Sequence, residues 1–124
     1  MKFCWTTISV SNMDKSITFY QDILGLKLNR RGKPSDQIEL AFLGEGDTQV
    51  ELIWDANNKN ISYGKDISMG FVVSSIETFT QVLKEKNISI HSGPFQPNPF
   101  IKFMYIQDPD GVKIQLVENI APKN

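Results

Sequence analysis

The sequence predicts an α+β fold in which one βαβββ unit is used twice, and three observations carry that prediction. Strand-like segments at residues 3–10 and 67–73 each lead into a helix-like segment, at 13–24 and 76–86. Three further strand-like stretches follow each helix. The two strand-to-helix junctions also match locally, Val10-Ser11-Asn12-Met13-Asp14 against Val73-Ser74-Ser75-Ile76-Glu77. A chain of 124 residues is one domain by length. Within it the first module covers about 1–56 and the second about 66–120.

Each element has its own signal. In the first helix Met13, Ile17, Tyr20 and Leu24 recur at helical spacing, Ser11 or Asn12 can cap the start, and Gly25 ends it. Strands are expected at 26–31, 37–43 and 48–54, the last two joined by the turn Gly44-Glu45-Gly46-Asp47. Asn and Lys make 55–65 a polar linker. The second helix opens on a possible capping box, Ser74-Ser75-Ile76-Glu77, and carries the stripe Ile76, Phe79, Leu83. Short strands are expected at 88–91, 101–107 and 112–118, with an irregular glycine- and proline-rich loop at 93–99. Neither unit has enough strands to close a barrel alone.

Strand alternation separates two kinds of face. Ile8 and Val10 oppose Trp5, Thr7 and Ser9; Val50, Leu52 and Trp54 oppose Gln49, Glu51 and Ile53. Met69, Phe71 and Val73 oppose Ser68, Gly70 and Val72; Val112, Ile114 and Leu116 oppose Lys113, Gln115 and Val117. The apolar faces suit packing under helices. The mixed faces suit the wall of a ligand cavity, since Trp5 is costly to leave on plain surface.

Composition removes several functions. Thirteen basic against fourteen acidic residues, with no basic run, leave no electrostatic footprint for nucleic acid. No apolar run approaches the roughly 20 residues that span a bilayer, and the N-terminal segment lacks a signal-peptide h-region. The lone Cys4 has no internal disulfide partner and reads as a small buried thiol, so a reducing cytoplasm is the expected home. His91 has no partner motif and reads as a surface residue.

Two motifs carry a resemblance. Phe19-Tyr20-Gln21-Asp22-Ile23-Leu24-Gly25-Leu26 closes the first helix, and Asp108-Pro109-Asp110-Gly111-Val112-Lys113-Ile114-Gln115-Leu116 turns into the last strand. Together they resemble the vicinal-oxygen-chelate superfamily, which includes glyoxalase I, extradiol dioxygenases and the bleomycin- and fosfomycin-resistance proteins. The resemblance implies two βαβββ modules forming a U-shaped, partly open mixed sheet, helices on its convex side, around a small-molecule site. Family metal enzymes place His or Gln, Glu, His and Glu on the first and last strands of the two modules. The matching positions here are Trp5, Glu51, Ser68 and Gln115, all on mixed faces.

Only Glu51 is a usual ligand there. Indole is a donor only, Ser68 offers a weak hydroxyl and Gln115 a neutral amide oxygen. Zinc, nickel or iron sites want imidazole or thiolate. The expectation is therefore no metal and no cofactor. The implied reading is a homodimer that binds a small molecule, with Trp5 offering a stacking face and Glu51 a charge for a cationic group. Trp5, Thr7, Glu51, Ser68, Phe103, Tyr105 and Gln115 are the candidate lining, and Phe95 and Phe100 could extend an aromatic rim. The alternative is a glyoxalase-I-like lyase or isomerase with Glu51 as catalytic base and a weakly held divalent ion.

Overall fold

In the computed structural model, residues 1–121 are described. The chain divides into two compact units, Met1–Tyr63 and Gly64–Asn124. Each unit is a βαβββ module, with a helix and a four-stranded mixed sheet. In the first unit, β1 (Trp5–Ser9), β2 (Leu28–Ser35), β3 (Ile38–Leu43) and β4 (Gln49–Asp55) lie in the order β1-β4-β3-β2. In the second, β5 (Ser68–Val72), β6 (Ser92–Asn98), β7 (Ile101–Gln107) and β8 (Lys113–Asn119) lie in the order β5-β8-β7-β6. The first and last strands of each unit pair in parallel; the other pairings are antiparallel. A parallel pair needs a long crossover, which the helix and two intervening strands provide.

Helix α1 (Met13–Thr18) is capped by Asn12, whose side chain accepts from the Lys15 N–H at 3.0 Å. Helical periodicity extends to Leu24 in the sequence, but Phe19–Ile23 wind as a π-helical turn. That wider turn sets Phe19 and Tyr20 edge to face at 5.3 Å, both buried. Gly25, at φ +70, then leaves the helix in the left-handed region that glycine enters without strain. Helix α2 (Ile76–Glu85) starts at Ser75, which accepts from the Thr78 N–H at 3.1 Å. Glu118 of β8 accepts from the Ile76 N–H at 2.7 Å and ties the same helix end to the sheet.

The cores follow the alternation. Ile8, Val50, Leu52, Ala41 and Leu43 are buried under α1, and Met104, Ile106, Ile114 and Leu116 under α2, whose own Ile76 and Leu83 are buried with them. Burial on the apolar face of the first strand falls from Ile8 through half-buried Thr6 to Cys4, which is exposed and precedes β1. The buried thiol expected at Cys4 is thus corrected: the position lies beyond the covered part of the face. Of the described residues, no helix is long and apolar enough to cross a membrane.

The edge strands differ from expectation. Residues 88–91 form no strand, and the supposed loop at 93–99 is mostly β6. Strand β6 touches β7 only at Ser92↔Tyr105, Phe95↔Phe103 and Asn98↔Ile101, with register shifts between. Pro94 and Pro97 fall in those shifts, where no ladder donor is required. At Gly93 a side chain would meet Met104 at 3.1 Å, so glycine admits the close approach that starts the strand. Strand β2 likewise runs past its predicted end at 31 to Ser35, with Pro34 inside a register shift. Bulged, proline-bearing edges resist pairing with further strands.

Candidate functional site

The open face of the first unit is assembled by register. Thr7 of β1 lies beside Glu51 of β4, and Glu51 beside Phe42 of β3, which lies beside Arg30 of β2. The Thr7 hydroxyl donates to Glu51 Oε1 at 2.5 Å. Glu51 is half-buried and Trp5 is 42% exposed. The Trp5 ring meets Phe42 edge-on at 5.3 Å. Since β4 runs between β1 and β3, the indole must reach across a strand to make that contact. On the other side of Phe42, the Arg30 guanidinium stands 4.2 Å above the ring centre.

Trp5, Leu40, Phe42, Arg30, Lys33 and Pro34 line a concavity of about 460 Å³. Trp5 is the only candidate residue that joins it; Glu51 and Thr7 belong to the same open face but not to this lining. Arg30, Phe42 and Lys33 are residues that sequence reasoning passes over. The available signal is the alternation of Leu40 and Phe42 against Ala41 and Leu43, which puts an aromatic ring on the open face. Neighbouring Arg31 also borders the concavity, but its guanidinium is engaged by acidic partners on β3 and α1. It bonds Glu39 and Asp14, each at 2.7 Å, and these, Glu39 first, hold its guanidinium above the ordinary arginine value.

The second unit repeats the register with other side chains. Gly70 of β5 lies beside Gln115 of β8, and Gln115 beside Tyr105 of β7. Gln115 Nε2 donates to the Tyr105 hydroxyl at 3.2 Å, and Lys113 Nζ lies 5.2 Å from the Tyr105 ring centre. Phe103 connects Tyr105 to Phe95, with ring separations of 6.0 and 5.3 Å. Ser68 is exposed on the same face, level with Lys113. Phe100 is 53% exposed in the turn between β6 and β7, and His91 is exposed just before β6.

Equivalent positions thus hold equivalent places. Trp5 stands two residues before the partner of Glu51, and Ser68 two residues before the partner of Gln115. Their chemistry does not fit a resident first-row metal. The Trp5 indole has no lone pair to give, Ser68 offers a weak hydroxyl, and Gln115 offers a neutral amide oxygen in place of a carboxylate. Among the described residues no three His, Cys, Asp or Glu side chains gather as ligands.

Comparison with known proteins gives a consistent lineage. Residues 2–116 match the family model described as Glyoxalase/Bleomycin resistance protein/Dioxygenase superfamily. A lactoylglutathione lyase of Haemophilus influenzae is 31% identical over 135 aligned positions, which cover 100% of this chain and 97% of that protein. The trypanothione-dependent glyoxalase I of Leishmania major superposes with a TM-score of 0.79 at 26% identity, covering 95% of this chain and 86% of the other. TnmS3, an antibiotic binding protein from Streptomyces, shares the fold with a TM-score of 0.76 at 19% identity, with 96% of each chain covered.

Proposed function

The chain belongs to the Glyoxalase/Bleomycin resistance protein/Dioxygenase superfamily, and on that premise we propose that it is a metal-free small-molecule binding protein. The observation that carries this reading is Trp5. An indole stands at a position where the family's metal enzymes hold a ligand, and it packs on Phe42 as part of a concave aromatic wall. A ring exchanged for a ligand side chain removes coordination and adds a stacking surface. Glu51, Ser68 and Gln115 then serve as polar contacts of the open faces, with Thr7, Phe103 and Tyr105 beside them. Sequestration, with no bond made or broken, is the mode of action this supports.

The protein would act as a cytoplasmic homodimer. Exposed Phe3, Ile67 and Val72 supply apolar surface that a second copy could cover. Exposed Cys4 suits a reducing compartment.

Glu51 favours a second reading, in which the chain retains lactoylglutathione lyase activity like that named for its relatives. The Thr7 hydroxyl fixes the Glu51 carboxylate on an open face, where it could take a proton from a bound substrate. Native mass spectrometry with and without excess nickel, zinc and manganese separates the two. Absence of specific ion uptake, together with no lyase turnover, supports the binding reading. One ion retained per chain, or turnover that is lost in Glu51→Gln, overturns it.

A further inference from the structure

We propose that the concavity of the first unit selects a planar anionic ligand, an aromatic carboxylate, with its ring on Trp5 and Phe42 and its carboxylate on Arg30 and Lys33. The proposal rests on the binding reading and goes further, because it names the ligand's charge. It also reverses the expectation, drawn from Glu51, of a cationic group.

The floor is apolar and the rim is basic. Leu40, Phe42, Trp5 and Pro34 offer carbon surface, while Arg30, Arg31 and Lys33 are the charged residues of the lining. Arg31 is already satisfied by Glu39 and Asp14. Among the described residues neither Arg30 nor Lys33 is paired with a carboxylate. Glu51, the countervailing charge on this face, accepts from Thr7 and lies outside the lining.

Arg30 suits this task in geometry as well as in charge. Its guanidinium carbon lies 4.2 Å from the Phe42 ring centre, within cation–π range, and among the described residues its N–H groups are paired with no carboxylate. A planar fork meets a carboxylate through two parallel hydrogen bonds, which a lysine does not reproduce. Stacking also removes side-chain freedom before the ligand arrives, so less is lost on binding. A purely structural stack of Arg30 on Phe42 would contribute to stability but would show no preference among ligand charges.

The test is calorimetric titration with three probes that share one ring: 1-naphthoate, 1-naphthylmethylammonium and 1-naphthalenemethanol. The carboxylate should bind roughly tenfold more tightly than the ammonium, and added salt should narrow the gap. Arg30→Ala should cut the preference several-fold, weakening the carboxylate far more than the alcohol, and Arg30→Lys should fall between. Trp5→Ala should weaken all three probes. Circular dichroism of each variant checks that it is folded. Equal or tighter binding of the ammonium, an unchanged preference in Arg30→Ala, or no heat with any probe would overturn the proposal. An ammonium preference that Trp5→Ala removes would still leave the binding reading standing, whereas specific metal uptake would remove that reading itself.

Discussion

The two units share a strand order and a pairing scheme, yet their open faces carry different chemistry. In the first, a carboxylate is held by a hydroxyl beside an aromatic–cation stack. In the second, an amide is held by a phenol, and glycine occupies the place opposite it. The buried faces diverge far less: Leu52 and Leu116, at equivalent register positions, are both fully buried. What is duplicated is the packing. The open faces are free to differ because no core depends on them.

The packing half of this comparison is open to direct challenge. Leu52→Ala and Leu116→Ala should each destabilise the protein by about 2–5 kcal/mol, read from urea denaturation. Leu116 should fall lower in that range, since its neighbour on β7 is Met104, an adaptable side chain that can partly refill a cavity. Leu52 faces Ala41 on β3, which has no reach to compensate. A loss below 1 kcal/mol at either position would mean that the two cores are not equivalent.

The units also fix their helices to their sheets by different means. In the second, Glu118 accepts from the first N–H of α2, a partly buried charge-assisted bond to a donor with no partner inside the helix. Glu118→Ala should therefore cost about 1–2 kcal/mol, with Glu118→Gln recovering part of it. In the first unit, Arg31 links β2 to Asp14 of α1, but that carboxylate is 81% exposed. Asp14→Ala, which removes that exposed link and keeps the Arg31–Glu39 pair, should cost less, about 0.5 kcal/mol, and added salt should shrink the difference. Equal losses for the two variants would show that the Arg31 pair is shielded from water by something other than its own unit.

Much of this architecture is legible in the sequence because it rests on local signals. Period-two alternation put Ile8, Leu52, Ile114 and Leu116 on buried faces, and Asn12 and the Ser74-Ser75 pair marked both helix starts. The edges are less legible. Pro94 and Pro97 read as loop residues because proline breaks a regular ladder, and the bulges that admit them depend on the partner strand. The π turn at Phe19–Ile23 is equally silent, since its apolar spacing also satisfies an α-helix. At the candidate site, Trp5 and Glu51 could be placed on one face from alternation. The cavity itself could not, because Trp5 meets Phe42 across an intervening strand and Arg30 meets Phe42 from β2. Those contacts join side chains of three strands, with β4 lying between β1 and β3, and strand-by-strand reading does not see them.

The smallest expected effect tests the open faces themselves. Gly70 takes the place that Thr7 fills in the first unit, directly beside Gln115. Its φ lies outside the left-handed region, and an added Cβ would sit 3.5 Å from Gln115 Oε1, an ordinary van der Waals contact. No backbone strain or clash within the unit therefore opposes Gly70→Ala. The substitution should change stability by less than about 1 kcal/mol, in the stabilising direction, because alanine restricts the unfolded chain more than glycine does. Thermal denaturation measures this directly. A loss of several degrees would mean that the face around Gln115 is packed against matter beyond its own sheet. The glycine would then be a close-approach residue, and the contrast with Thr7 would reflect what covers each face instead of a freedom to diverge.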